Sequence, residues 1–240
     1  LLTVTKNKLT ELLNNISKYQ AATFIAILFH TIGLLGILVF NSPFIIQSTP
    51  FNLLLSAALL VWTQQDKNKY FYLFSLVTYI VGFAVEVVGV NTGLLFGNYS
   101  YGNVLGFKWR QVPVVIGVNW LIVVFCCGIT IHTFLNNIIS KLATETKAPP
   151  MVLKGISIIA DGATLAVLFD WLIEPVAVKL GYWQWKDGSI PMYNYICWLT
   201  ISALLLAVFH FCTFNKQNKF AVNLLLIQVM FFLLLRTFLK

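Results

Sequence analysis

The stretch "MVLKGISIIADGATLAVLFDWLIEPVA" (Met151–Ala177) runs past the roughly twenty residues that an α-helix needs to cross a bilayer. It reads as a membrane helix, yet it carries Asp161, Asp170 and Glu174. Six more apolar segments flank it. They cover Ala21–Phe40, Pro50–Gln64, Tyr70–Val90, Val112–Leu135, Met192–Phe214 and Phe220–Leu239. The second of these is short for a full crossing. Hydrophobic residues make up 59% of the 240-residue chain and charged residues 10%. A soluble domain has about 25% charged residues. The sequence therefore predicts an all-α, polytopic integral membrane protein, a bundle of about seven transmembrane helices.

Residues 1–20 are too polar for the core of a signal peptide and read as an amphipathic segment lying on the membrane. Residues 21–240 then form one transmembrane helical domain. The net charge is +8, with the basic residues mostly between the apolar runs. There they anchor helix ends and meet anionic headgroups of the lipid bilayer. No basic block is interleaved with aromatics, which excludes nucleic-acid binding. With seven crossings, ten of the sixteen lysines and arginines fall on the face of the N-terminus. This predicts a multi-pass protein of the cell membrane with a cytoplasmic N-terminus. Cys126, Cys127, Cys197 and Cys212 all lie in apolar runs without a CxxC pattern, and read as small buried hydrophobes.

Four of the eight acids fall inside predicted spans: Glu86, Asp161, Asp170 and Glu174. A carboxylate in hydrocarbon is costly, so each is a functional candidate. The alternative for each is a structural hydrogen bond to a neighbouring helix. Asp170 and Glu174 lie about 40° apart on a helix and share a face. Small Ala163 and Ala166 lie on the same side, which favours close helix approach. Asp161 is half a turn away and faces elsewhere unless Gly162 bends the helix. Thr78, Gly82, Glu86 and Gly89 form a stripe expected to face the bundle interior.

Span order brings these groups together. Glu86, Asp170 and Glu174 lie near the ends of two helices that finish on the less basic face. Asn119 with Trp120, and Asn194 with Trp198, open two helices that start there. Two loops rich in Gly, Asn and aromatics, Asn91–Pro113 and Lys179–Asn194, close over the same end. An aromatic belt at the interface accounts for part of this pattern. Closely spaced carboxyls in an apolar pocket cannot all ionise, so at least one keeps its proton at neutral pH. Such an acid can act as a general acid. Aromatic faces can stabilise a cation, and asparagines can position water. The set suits protonation of a hydrocarbon double bond followed by capture of the carbocation.

Four motifs carry a resemblance: "EVVGVNTGLLFGNYSYG" (Glu86–Gly102), "VPVVIGVNW" (Val112–Trp120), "FDWLIEPVA" (Phe169–Ala177), and "YWQW" followed by "IPMYNYICW" (Tyr182–Trp198). Over Tyr70–Trp198 the chain resembles the CruF-type carotenoid hydratases, the bisanhydrobacterioruberin hydratase-like carotenoid biosynthesis proteins. The resemblance implies redox-neutral addition of water to the terminal C=C of an acyclic carotenoid end, giving a tertiary hydroxyl. It implies a substrate resembling lycopene, γ-carotene or bisanhydrobacterioruberin and no cofactor, with other carotenoid-pathway enzymes as candidate partners; a divalent metal on Glu86, Asp170 and Glu174 is an open alternative that nothing in the pattern requires. One of Asp170, Glu174 and Glu86 would protonate the alkene and another would orient or deprotonate water. Asn91, Asn98, Asn119 and Asn194 would position water or hold the carboxyls. Tyr99, Tyr101, Trp120, Trp183, Trp185 and Trp198 would wall the cation and polyene. Asp161 is an extra acid with no place in the pattern.

The resemblance does not separate a hydratase from an acid-driven end-group cyclase or isomerase, since these also begin with alkene protonation. A proton-coupled transporter is the non-enzyme alternative, though its acids should lie along a path rather than at one end. The last segment lacks a Schiff-base lysine, which argues against a retinal protein. His30, His132 and His210 are scattered, unlike an iron-binding histidine cluster. "DWLIE" is a poor match to the acidic pairs that hold magnesium diphosphate in prenyltransferases.

Overall fold

The computed structural model describes residues 17–142 and 151–239. The amphipathic segment expected at 1–20 lies outside the described residues as far as residue 16. Ser17 caps the first helix, its side chain accepting from Gln20 N while the Gln20 side chain accepts from Ser17 N. That helix, α1 (Lys18–Leu38), therefore starts three residues before the expected boundary. It is followed by α2 (Pro43–Gln47), α3 (Thr49–Thr63), α4 (Lys69–Thr92), α5 (Val115–Leu142), α6 (Met151–Lys179), α7 (Met192–Phe211) and α8 (Lys219–Phe238). Among the described residues, all but α2 and α3 are long and apolar enough to cross a membrane. The fold is all-α and polytopic, and the surface carries large exposed apolar side chains such as Phe24, Leu35, Leu76 and Leu204.

The second expected span is a broken one. Pro50 has no N–H to offer the Ile46 carbonyl, and the Thr49 hydroxyl takes that carbonyl instead, at 2.7 Å. At 15 residues, α3 is about 22 Å long, short of the roughly 30 Å hydrocarbon core. It still links the two ends of the bundle. Thr49 Oγ1 lies 2.8 Å from the Tyr182 hydroxyl at one end. Thr63 Oγ1 reaches Asn218 Oδ1 at the other, where Asn218 also donates to Gln64 and Gln64 donates to the Asn215 carbonyl. With α3 counted, the chain passes between the two ends seven times.

Helix α5 is central, packed against α3, α4, α6, α7 and α8. Missing side chains let the helices close on one another. A Cβ on Gly82 would sit 2.4 Å from Trp120 Cβ, and one on Gly117 would sit 2.7 Å from the Tyr79 ring. The stripe of Thr78, Gly82, Glu86 and Gly89 faces inward as expected, and all four are buried.

The two aromatic loops form strands that the sequence reading took for irregular structure. Strand β1 (Tyr99–Tyr101) pairs antiparallel with β4 (Trp183–Trp185), in the register Tyr99 to Trp185, Ser100 to Gln184 and Tyr101 to Trp183. Alternation along a strand sends both tyrosines and both tryptophans to one face. A hairpin of β2 (Lys108–Trp109) and β3 (Val112–Pro113) follows, so the fourth span begins at Val115 rather than Val112. Its turn holds Arg110 and Gln111 at φ of 51° and 67°. The ribbon is seated on its own loop at Gly102, whose N–H donates to the Tyr182 carbonyl.

A Cβ on Gly102 would lie 2.0 Å from the Gly181 carbonyl oxygen, a backbone atom that has to move. Gly102→Ala is expected to destabilise the fold by about 1–3 kcal/mol. Thermal unfolding in detergent checks this, and an unchanged midpoint would contradict the packing described.

Candidate active site

Pro175 shapes the end of α6, one residue after Glu174. It cannot donate to the Trp171 carbonyl, and Arg236 of α8 does so instead at 2.8 Å. The guanidinium also lies over the Trp171 ring, 3.8 Å from its centroid. Lys179 Nζ reaches the Leu239 carbonyl at 2.7 Å, so the last helix ties down the acid-bearing end of α6.

Three buried carboxyls meet beneath the β1–β4 ribbon. Glu86 Oε1 accepts from Trp120 Nε1 at 2.9 Å, and its Oε2 accepts from the Tyr101 hydroxyl at 2.8 Å and from the Tyr99 hydroxyl. Glu174 Oε2 accepts from Trp183 Nε1 at 3.0 Å and Trp185 Nε1 at 2.9 Å. Its Oε1 faces Asn194 Nδ2 at 3.4 Å. That same amide donates to Asp170 Oδ2 at 2.9 Å. The inward face of the ribbon thus supplies two hydroxyls to one glutamate and two indoles to the other. Among the described residues Asp170 receives one donor only.

The carboxyls line a chamber of about 30 Å³. Tyr99, Tyr101, Asn119, Trp183, Trp185, Asn194 and Trp198 share its wall, with Phe96 and Ile116. A water needs roughly 10–15 Å³ on this measure, so the chamber has room for water and little else. The Asn119 side chain has no protein hydrogen-bond partner among the described residues, leaving its amide for such a water. Next to the chamber lies an apolar cavity of about 50 Å³, lined by Leu53, Leu105, Val123, Phe169, Ile173 and Phe232 among others. Asp170 is the one carboxyl on the wall of both, together with Asn119, Trp183 and Trp198. Trp198 is stacked on Trp120 with centroids 3.9 Å apart and planes 8° from parallel. On the other side of the ribbon is a polar vestibule of about 410 Å³, bounded by Asn98, Ser100, Gln184, Lys186 and the outer sides of Tyr99 and Trp185.

The sequence candidates divide accordingly. Asp170, Glu174, Glu86, Tyr99, Tyr101, Asn119, Trp183, Trp185, Asn194 and Trp198 converge on the chamber. Trp120 touches it through Glu86 and Trp198. Asn98 lies in the vestibule. Asn91 is not in the chamber: its amide braces the hairpin turn by donating to the Arg110 carbonyl at 2.9 Å. Asp161 is exposed, half a turn from the acids as its spacing implied. The sequence reading missed Phe96, Ile116, Phe169, Ile173, Tyr182 and Phe232. Apolar wall residues look like any other core position; all of these but Phe232 lie inside the quoted motifs, yet nothing in the spacing marked them as wall residues. No group of three His, Cys, Asp or Glu side chains among the described residues is arranged to hold a metal ion.

Residues 47–240 match the model of a family described as carotenoid biosynthesis protein. The chain belongs to that family. A curated relative, bisanhydrobacterioruberin hydratase from Haloarcula japonica, is 26% identical over 178 residues, which is 72% of this chain and 55% of the relative. The chain thus spans about half the length of that relative. No solved structure matches.

The ribbon hydroxyls give the site an alkaline limit. Burial, and then the nearby Glu86 charge, hold the Tyr99 and Tyr101 hydroxyls well above the usual tyrosine range. Burial pushes Tyr182 up to about 12. In the unfolded chain a tyrosine ionises near 10. Above that pH the unfolded state binds fewer protons than the fold, so stability falls as pH rises. We expect the unfolding midpoint to hold steady to about pH 10 and then to fall, with these tyrosines ionising last in an ultraviolet titration. Early ionisation of all nine tyrosines together would contradict the buried ribbon.

Proposed function

We propose that this chain is a carotenoid end-group hydratase, adding water to the terminal C=C of an acyclic end such as that of lycopene or γ-carotene. The observation that carries the reading is the position of Asp170, on the wall between a polar, water-sized chamber and an apolar cavity. The relative's printed name, a hydratase, supports it.

The division of labour follows from the hydrogen bonds. Donors to a carboxyl favour its ionised form. Glu86 has three donors, and Glu174 has two indoles and a long contact from Asn194. Both are better suited than Asp170 to the carboxylate form. Asp170, with one donor on Oδ2, leaves Oδ1 to carry a proton into the apolar cavity. Asp170 gives that proton to the less substituted alkene carbon, and a tertiary cation forms on the other. The Trp198 face, backed by Trp120, lies beside this centre, where a cation is stabilised by about 0.5–2 kcal/mol. A water in the chamber, held by Asn119 and Glu174, adds its oxygen to the cation and loses a proton to Glu174. Asn194 contacts both Asp170 and Glu174 and fixes their separation, and transfer of the proton from Glu174 back to Asp170 through a chamber water restores the starting state. Nothing is oxidised or reduced. The excess of lysine at the opposite end of the bundle supports a cytoplasmic N-terminus, which puts the ribbon at the outer face.

The test is made in a lycopene-producing host grown with ¹⁸O-water. The extracted pigment is expected to gain one or two waters carrying the label. An isomer of unchanged mass would replace hydration by cyclisation. Asp170→Asn and Glu174→Gln should each cut turnover by about 10²–10⁴-fold with the protein still folded. Full activity in both variants would remove these carboxyls from the mechanism.

A further inference from the structure

The chamber and its apolar neighbour are too small for more than the tip of a long hydrocarbon, so the rest of the substrate needs a place. A third cavity, of about 430 Å³, lies between α1, the broken α2–α3 helix and α8. Its size is that of a ligand site, roughly 300–1,000 Å³. It adjoins the second cavity, for Leu53, Asn119, Phe169, Ile173, Tyr182 and Phe232 line both. We infer that this third cavity is a polyene channel that loads sideways from the bilayer. The identity of the occupant rests on the hydratase reading above; the channel itself rests on the geometry.

Three features support it. The first is composition: outside the shared neck, most of the wall is aromatic and branched aliphatic, including Phe29, Ile37, Ile45 and Phe231. The second is the opening. Phe44, Phe51 and Ile32 line the cavity and are also 77%, 57% and 45% exposed, on the flank of the bundle where lipid lies rather than under the ribbon. This portal exists because the second crossing is broken at Pro50 and because Gly33 places no side chain in the space. The third is the floor. His30 and Gln228 are among the deepest lining residues of α1 and α8, about a third to half of the way from the active-site end. Both are buried, and Gln228 Oε1 has no hydrogen-bond partner among the described residues. A hydrocarbon laid against that oxygen would keep it from any partner, which is costly. The floor therefore turns the chain outward through the portal instead of deeper into the bundle. Only one end of the polyene is enclosed, and the far end stays in the lipid.

The test compares wild type with Gly33→Phe in lipid nanodiscs. A Cβ at Gly33 meets only the Phe231 ring, at 3.4 Å, so the larger side chain projects into the channel. Two substrates are used: lycopene, and 2,6-dimethyl-2-octene, a ten-carbon hydrocarbon with the same terminal double bond. Bound lycopene per protein is read by absorbance, and hydration of each substrate is read by mass. The expected result is a loss of bound lycopene of tenfold or more, with the lycopene-to-octene ratio of kcat/KM falling at least as far. Leu53→Trp, at the neck, should act likewise and serves if Gly33→Phe does not fold. Phe44→Cys, labelled with a pyrene maleimide, should slow lycopene loading from the lipid. Wild-type lycopene binding in both channel variants would overturn the channel, and unchanged loading of the labelled protein would overturn the portal. If wild type hydrates neither substrate the hydratase reading fails, while the pigment-retention comparison still decides the channel.

Discussion

Buried carboxyls at the end of a membrane bundle need donors, and the β1–β4 register is what delivers them. A slip of one residue would put the tyrosines and the tryptophans on opposite faces, turning one pair outward and bringing Ser100 or Gln184 in. Either Glu86 would then keep only Trp120, or Glu174 only a long contact from Asn194. An unpaired charge in such a place costs several kcal/mol. The same register separates the polar vestibule from the chamber, since Tyr99 and Trp185 stand between them. A single two-stranded ribbon therefore serves as lid, as donor array and as boundary to water.

Two prolines do related work in different helices. Each leaves a carbonyl without its helical partner, and each carbonyl is taken by a side chain. At Pro50 the Thr49 hydroxyl does so, and the crossing breaks into α2 and α3. At Pro175 the Arg236 guanidinium does so, and α6 continues while α8 is bound to it. The first break opens space for an apolar cavity on the bundle's flank. The second fixes the helix that carries Asp170 and Glu174. Both are local backbone facts with consequences at the site.

Much of this was legible in the sequence. Hydropathy gave the crossings, and helical spacing put Asp170 and Glu174 together and Asp161 apart. Span order alone brought four helices and two loops to one end. Three things were not legible. The Tyr-Ser-Tyr and Trp-Gln-Trp alternation has the period of a strand, but three residues are too few to tell from an interfacial aromatic belt. Asn91 and Asn98 were grouped with the chamber because a loop sequence does not say which side of a lid a residue occupies. The apolar cavities between α1, α3 and α8 left no trace, since leucine and phenylalanine there read as ordinary helix packing.

The hydrogen bonds also have an order in time. Glu86 receives its hydroxyls from residues 13 and 15 positions downstream, and Glu174 its indoles from 9 and 11 positions downstream. Each acid is thus followed closely by its own donors in the loop that leaves its helix. As the chain emerges from the ribosome, each of these two helices with the loop after it is a unit that already contains donors for its own buried carboxyl. Only Trp120, Asn194 and the pairing of the two strands must wait for the later helices. Glu86 and Glu174 in this way reach the membrane with donors of their own, ahead of the helices that follow them in the chain.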